Sequence, residues 1–244
     1  YKGYYMTSVE FIRVVFLNFR RGTMGDFTAV ILAAGEGKRM KSNIPKALHK
    51  ICGQPILTYV ISSAREAGAK KIIVVVGKDK DKIKQAYMKA TDIEFVVQKE
   101  RKGTGHALMQ AKTASVDTNT SQLVVLYGDM PLVTAKSIKG MVEFHRIQQA
   151  TATVMTAKVP DPTGYGRIIR EGMQVLCIRE HKDATPDERK IDEINAGFYC
   201  FDTPSVFAAL SKVENKNCQG EYYLTDVVEI LNGGSKKVVP FQLE

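Results

Sequence analysis

Arg39, Lys46 and Asp129 have the charge and the placement along this 244-residue chain to handle a polyphosphate. Arg39 lies in a glycine-rich run, Leu-Ala-Ala-Gly-Glu-Gly-Lys-Arg-Met at 32–40, and Lys46 follows Pro45 shortly after it. Gly35 and Gly37 can both take φ > 0, which would let backbone N–H groups converge on an anion. Arg39 adds a forked donor and Lys46 a mobile point charge. Two cations and a backbone nest are what a triphosphate needs as charge moves onto a leaving pyrophosphate. Asp129 stands just past the apolar run 122–127 and offers the hard carboxylate oxygens that Mg²⁺ prefers beside phosphate. Gln98 also follows an apolar run, and its amide can donate and accept along a pyrimidine edge. Each has a plainer reading. Gly-Glu-Gly is also a structural turn, Asp129 a strand-ending aspartate, Gln98 a solvated loop residue and Glu180 a surface charge. His49, His106, His145 and His181 read as structural or exposed rather than catalytic, and Tyr222 and Tyr223 as core aromatics.

Two common nucleotide motifs are excluded. The third glycine of G-x-G-x-x-G is absent because position 40 is Met, and no G-x-x-x-x-G-K-[ST] occurs. The four cysteines form no C-x-x-C pair, which fits free thiols in a reducing, cytoplasmic setting. The net charge of +9 suits anionic substrates. No basic stripe with interleaved aromatics appears, so nucleic acid is not an expected partner. The apolar run 9–19 is short and broken by Arg13 and Asn18, so no membrane span is expected either. It also lacks a signal-peptide cleavage site. Residues 1–23 read as an extra segment ahead of Met24, and 24–244 as the folded domain.

Positioning these groups calls for a particular scaffold. Apolar runs at 28–33, 71–77, 93–97 and 122–127 read as buried strands. Helical patterns at 55–68, 79–89 and 104–113 separate them. Near-continuous apolar strands alternating with helices predict a mostly parallel, doubly wound α/β sheet. Ligands in such sheets bind beyond the carboxyl ends of the strands, which puts 34–40, 98–105 and 127–130 on one rim. After about residue 150 strand patterns dominate (151–158, 167–170, 175–179 and 193–201), predicting a smaller β-rich lobe that completes the pocket.

The glycine-rich run with Pro45-Lys46 resembles the L-A-A-G-x-G-T-R-M…P-K motif of sugar-phosphate nucleotidyltransferases. Further segments extend the resemblance: Val-Gln-Lys-Glu-Arg-Lys-Gly-Thr-Gly-His-Ala at 97–107, Leu-Tyr-Gly-Asp at 126–129 and Pro-Thr-Gly-Tyr-Gly-Arg at 162–167. Glu-His-Lys-Asp-Ala at 180–184, Asn-Ala-Gly-Phe-Tyr at 195–199 and Gly-Glu-Tyr-Tyr-Leu-Thr-Asp at 220–226 complete it. Together, over 27 to about 240, these are similar to the N-terminal uridylyltransferase domains of bacterial bifunctional N-acetylglucosamine-1-phosphate uridylyltransferase/glucosamine-1-phosphate acetyltransferases. The resemblance implies a Rossmann-like nucleotidyltransferase fold whose smaller lobe binds sugar. It implies Mg²⁺-dependent transfer of UMP from UTP to N-acetylglucosamine 1-phosphate, serving cell-envelope precursor synthesis. Leu32, Ala33, Ala34 and Gly35 would contact the nucleoside, and Gln98, Gly103 and Thr104 would read the uracil. Arg39 and Lys46 would hold the phosphates as the catalytic cations, and Asp129 would bind Mg²⁺. Tyr127, Gly166, Glu180, Asn195 and Thr225 would hold the sugar.

Two sister readings share the motifs: a nucleotidyltransferase using dTTP, CTP or GTP, and a non-catalytic module that binds UTP or UDP-sugars. The chain departs from the family pattern at Lys38, where a threonine is usual. The family's second metal ligand, an Asn, and its trimerising hexapeptide-repeat β-helix would lie beyond Glu244. Trimerisation and acetyltransfer are therefore not expected of this sequence.

Overall fold

The computed structural model describes residues 27–35, 37, 40, 42, 44–114 and 122–243. Arg39, Lys38 and the segment 1–23 lie outside the described residues. Strand β1 (Phe27–Ala33) is buried on both faces, with Val30 and Leu32 in one core and Ala29 and Ile31 in the other. Only a strand covered on both sides can read as an unbroken apolar run. It pairs in parallel with β4 (Ala69–Val76) on one side and with β6 (Gln122–Tyr127) on the other, while β4 pairs in parallel with β5 (Ile93–Val97). A two-stranded ribbon, β2 (Lys50–Ile51) and β3 (Gln54–Pro55), follows the short 3-10 turn Lys46–Leu48.

Helix α1 (Ile56–Ala67) buries Leu57, Val60, Ile61 and Ala64 in one core, the i, i+3, i+4, i+7 stripe expected of an amphipathic helix. Gly68 ends it in the left-handed conformation at φ 97°. Helix α2 (Lys80–Ala86) buries only Ile83. Helix α3 (Thr104–Gln110) crosses the opposite face, placing Ala107 and Leu108 in the other core. With α1 on one face and α3 on the other, the chain reverses its direction of winding at β1. The β1–β6 boundary is therefore the switch point where an open α/β sheet leaves a crevice.

The strands beyond residue 150 divide differently from their sequence texture. β7 (Ala152–Lys158), β10 (Glu193–Asp202) and β11 (Val238–Gln242) continue the main sheet, in the order β11-β7-β10-β6-β1-β4-β5. β10 runs antiparallel to both neighbours, so the sheet is mixed at this end. The hairpin of β8 (Arg167–Glu171) and β9 (Gln174–Arg179) lies off that path, attached to β10 through the Ile194–Arg167 pair. That hairpin and its flanking loops form the smaller lobe.

Three helices were absent from the sequence expectation: α4 (Ala135–Ile147), α5 (Thr203–Leu210) and α6 (Asp226–Gly233). The first two carry legible caps. Thr134 Oγ1 accepts from Ser137 N at 3.1 Å, and Asp202 Oδ2 accepts from Ser205 N at 3.0 Å ahead of Pro204. The apolar positions Ile138, Met141 and Val142 would also have shown the helical spacing of α4.

On α4, His145 is buried and its Nδ1 lies 2.9 Å from Thr153 Oγ1 of β7. Burial pulls its pKa down to about 4, opposed by Asp202 and aided by Arg146. A depressed histidine pKa favours the neutral ring, so this contribution to stability is complete above the ordinary value and is lost as pH falls towards 4. The expected loss is about 3 kcal/mol. Urea midpoints measured between pH 7 and 4.5 check this: the fall is expected to flatten in His145→Gln relative to the parent chain.

Candidate active site

The carboxyl ends of β1, β5 and β6 open onto one cavity of about 520 Å³. That is within the range of pockets that hold nucleotide-sized ligands. Leu32, Ala33, Ala34 and Gly35 line it from β1, Gln98 from the end of β5, Gly103 and Thr104 from the start of α3, and Tyr127 and Asp129 from the end of β6. Lys46 enters from the short 3-10 turn Lys46–Leu48. The nucleotide residues expected from sequence thus share one cavity.

Gly37 takes φ +61°, as a nest would require, but Gly35 does not adopt a positive φ. Among the described residues other than its chain neighbours, nothing lies within 4 Å of where a Gly35 Cβ would be. Its missing side chain leaves room on the cavity wall, and its φ is not one that calls for glycine. Gly128 has a different cause: a Cβ there would meet Ala33 Cβ at 3.0 Å, and its N–H donates to Leu32 O at 2.9 Å. It holds the turn carrying Asp129 tightly against the end of β1.

Lys46 Nζ donates to Asp129 Oδ2, joining the two charged groups across 83 residues of sequence. Sequence assigned one to phosphate and the other to metal, and in the fold the two are paired with each other. Both side chains are about one-third exposed, so the pair is open to exchange. No cluster of three or more potential metal-ligating side chains occurs among the described residues. Asp129 alone still fits Mg²⁺, which commonly takes one or two carboxylates and completes its shell with substrate phosphates and water.

The end of the cavity lined by Gln98, Gly103 and Thr104, where the sequence placed base recognition, is built by a chain crossing. Tyr222 N donates to Lys102 O at 2.7 Å, Gly105 N to Tyr222 O at 2.8 Å, and Leu224 N to Thr104 Oγ1 at 3.1 Å. The segment 221–224 therefore lies directly on 102–105. A Cβ on Gly103 would stand 2.5 Å from Tyr222 O, and one on Gly105 2.9 Å from the same oxygen. Both glycines of Gly-Thr-Gly are needed for this approach. Tyr222 is half-buried against the core while its backbone makes this clamp, and Tyr223 is buried as expected. Arg101 and Glu221 also line the cavity and were not singled out by sequence.

The five expected sugar residues come together next to this cavity. Thr225 Oγ1 donates to Glu180 Oε1 at 3.1 Å. A Gly166 Cβ would meet Ile178 at 3.0 Å, and Asn195 Cβ and Glu180 Oε1 at 3.6 Å. Asn195 N donates to Gly166 O at 2.9 Å. The Asn195 amide is already engaged: its Nδ2 donates to Tyr199 Oη at 2.6 Å and its Oδ1 accepts from Gly197 N at 2.9 Å. This fixes the irregular stretch of β10 between 195 and 199 and leaves one hydrogen and one lone pair for a ligand. Burial raises the Glu180 pKa, partly offset by the Thr225 hydrogen bond, so Glu180 is not the plain surface charge its neighbours suggested. The Tyr127 hydroxyl bonds Thr104, and its pKa is raised by burial and then by Glu180, tying the two ends of the site together.

Arg167 is 1% exposed and props this lobe. It donates to Tyr165 O and reaches His181 Nδ1 at 3.2 Å, holding the turn that carries Gly166. Sequence left Arg167 unassigned because a single arginine in a turn motif has no periodic signal.

Among known proteins, the model of the MobA-like NTP transferase domain matches residues 29–191, more than half of the chain. The chain is 43% identical over 220 residues to the bifunctional protein GlmU of Halalkalibacterium halodurans, covering 90% of this chain and 48% of the relative. It is 47% identical over 220 residues to the bifunctional protein GlmU of Clostridium kluyveri, covering 88% and 48%. The chain thus spans about half the length of the curated relatives it matches. In three dimensions it is similar to a UDP-glucose pyrophosphorylase complexed with UDP-glucose, with a TM-score of 0.72 over 88% of this chain and 89% of that one at 21% identity. At that identity the likeness establishes the fold, a mostly parallel nucleotidyltransferase sheet of the kind expected. No helix among the described residues is long and apolar enough to cross a membrane. The family match runs from β1 to the loop before β10, through every strand whose end opens onto the cavity, and this chain belongs to the MobA-like NTP transferase domain family.

Proposed function

We propose that this chain transfers UMP from UTP to N-acetylglucosamine 1-phosphate, giving UDP-N-acetylglucosamine and pyrophosphate, as a cytoplasmic enzyme of cell-envelope precursor synthesis. The observation that carries the proposal is the continuity of the site. A nucleotide-sized cavity meets the Glu180–Asn195–Thr225 cluster at Tyr127, with Lys46 and Asp129 on the cavity wall. The pair of relatives named above, similar over nearly the whole chain, supports the same reading.

In this reaction a phosphate oxygen of the sugar phosphate attacks the α-phosphorus of UTP in line. The bond from that phosphorus to the β-phosphate bridging oxygen breaks, and pyrophosphate leaves with the electron pair. The attacking oxygen is already anionic, so no general base is required, and none of the four histidines lines the cavity. Leu32 to Gly35 hold the nucleoside, while Lys46, with Arg39 seven residues before it in the sequence, neutralises the charge that grows on the leaving group. Asp129 would hold Mg²⁺, which supplies electrostatic stabilisation of phosphate oxygens when bound. Glu180 and Asn195 would accept and donate to the hydroxyl and acetamido groups of the sugar.

Pyrophosphate release with UTP, Mg²⁺ and N-acetylglucosamine 1-phosphate tests the proposal, with glucose 1-phosphate and the other nucleoside triphosphates as controls. Release with this pair alone is expected. Release with a different pair would transfer the chain to a sister specificity, and UTP binding without release under any condition would make it a binding module. For the sugar end, Glu180→Gln keeps an acceptor for Thr225 but removes the charge. A hydrogen bond to a charged acceptor is worth roughly 1 kcal/mol more than a neutral one, so KM for the sugar phosphate is expected to rise about fivefold. KM for UTP should stay where it was; an equal rise in both would remove Glu180 from the sugar subsite.

A further inference from the structure

Glu193 stands two residues before Asn195 on β10, and residues two apart in a strand share a face. It is 5% exposed, a carboxylate almost shut off from water. Such a group is tolerated only where its lone pairs are met by donors. Two neighbouring strands meet them. Thr156 Oγ1 of β7, itself fully buried, donates to Glu193 Oε1 at 2.8 Å. Arg170 Nε of β8 donates to the other oxygen, Oε2, at 2.8 Å. The same arginine turns its Nη1 to Gly172 O at 2.5 Å, within the turn of the β8–β9 hairpin. One carboxylate therefore grips the main sheet with one oxygen and the smaller lobe with the other.

That grip bears on the sugar end because of how the lobe is attached. The ladder between β8 and β10 consists of the Ile194–Arg167 pair, beside the bond from Asn195 N to Gly166 O. On its other side the hairpin shares a core with α6, through Val175 and Ile178 with Val227, Val228 and Leu231. Apolar contact is non-directional, so it fixes which face is buried but not how far the hairpin slides or tilts. Gln174 Nε2 donates to Asn232 Oδ1 at 2.9 Å, a directional tie that reaches α6. The Arg170–Glu193 tie reaches β10, the strand that carries Asn195. Gly166 immediately precedes β8 and Glu180 immediately follows β9, so both travel with the hairpin while Asn195 stays with the sheet. We propose that Glu193 is a positioning residue for the sugar end of the site: with Arg170 and Thr156 it fixes the gap across which Gly166 and Glu180 face Asn195. The proposal rests on the sugar-binding reading proposed above.

The test is calorimetric binding of UDP and of UDP-N-acetylglucosamine, with melting temperatures alongside. It compares the parent chain with Arg170→Met, Glu193→Gln and the double variant Glu193→Leu/Arg170→Met. Replacing both members of a buried pair by apolar residues commonly restores the stability that loss of one partner removes. The melting temperature is therefore expected to fall in Arg170→Met and to recover in the double variant. Affinity for UDP-N-acetylglucosamine should not recover with it. Binding about tenfold weaker is expected in both, the scale of one charge-assisted hydrogen bond, with UDP unchanged. Glu193→Gln keeps an acceptor for Arg170 and should lose less. Sugar-nucleotide affinity that returns with the melting temperature in the double variant would overturn the proposal, as would an equal weakening of UDP. Should the double variant not fold, unchanged sugar-nucleotide affinity in folded Arg170→Met and Glu193→Gln does the same. A parent chain that does not bind UDP-N-acetylglucosamine would overturn the proposed function itself, which separates the two failures.

Discussion

Lys46→Met is expected to lower the rate of pyrophosphate release by about 10²–10³-fold while tightening divalent-cation binding to the nucleotide-free protein. The first effect follows from the cavity: Lys46 lines it and brings a positive charge where pyrophosphate would depart. A preorganised cation aimed at developing negative charge does most of its work in the transition state, so kcat should fall more than KM rises. The second effect follows from the ion pair, because Lys46 and Asp129 neutralise one another before any ligand arrives. A metal ion must displace the ammonium to reach that carboxylate, and an uncharged methionine removes the competition. Titration of Mn²⁺ by electron paramagnetic resonance, with and without UTP, reads this directly. A weaker or unchanged metal affinity in the nucleotide-free variant would show that Asp129 is not the carboxylate the cation seeks. Asp129→Asn is the companion control, and both activity and Mn²⁺ binding should be lost in it.

Gly103→Ala should damage stability and nucleotide binding together, costing about 3 kcal/mol or more of the former. Gly103 adopts φ 105°, ψ 175°, a region that L-residues with a side chain avoid at a cost of roughly 1–3 kcal/mol. The added Cβ would also press on Tyr222 O at 2.5 Å and Tyr222 N at 2.9 Å. These are backbone atoms held by reciprocal hydrogen bonds, so relief requires the crossing of 102–105 and 221–224 to open. Opening it also moves Gly103 O, the atom that orients Gln98. Urea unfolding and UTP binding should therefore degrade in parallel. Gly105→Ala isolates the steric part, since Gly105 does not take a positive φ, and a smaller loss is expected there. An unchanged unfolding midpoint and unchanged UTP affinity in Gly103→Ala would mean that the clamp yields at little cost.

Residues close together in the chain were the most legible. The glycine-rich loop after β1, the unbroken apolar strands and the strand-end positions of Gln98 and Asp129 could all be read directly. Strand geometry alone carries each of them to the same edge of a parallel sheet. The missed helices α4 and α5 were a matter of reading, because their caps and spacing are in the sequence. The division of the last strands was not. β7, β10 and β11 look like any short β segments, and only their packing against α4 and β6 decides that they extend the main sheet. The β8–β9 hairpin is left to build the lobe.

The sequence by itself determined the scaffold, the rim and the types of residue placed there, because periodicity and turn chemistry act over a few residues. The tertiary structure decided what those residues do to one another. It joined Lys46 to Asp129 and set Gln98 between Gly103 and His106. It also made both glycines of Gly-Thr-Gly a seat for Tyr222, and gathered Glu180, Asn195 and Thr225 from three separate segments. Hydrogen-bond satisfaction is settled by whichever groups lie within about 3 Å once water is excluded. The fold sets those distances across tens to hundreds of residues of chain.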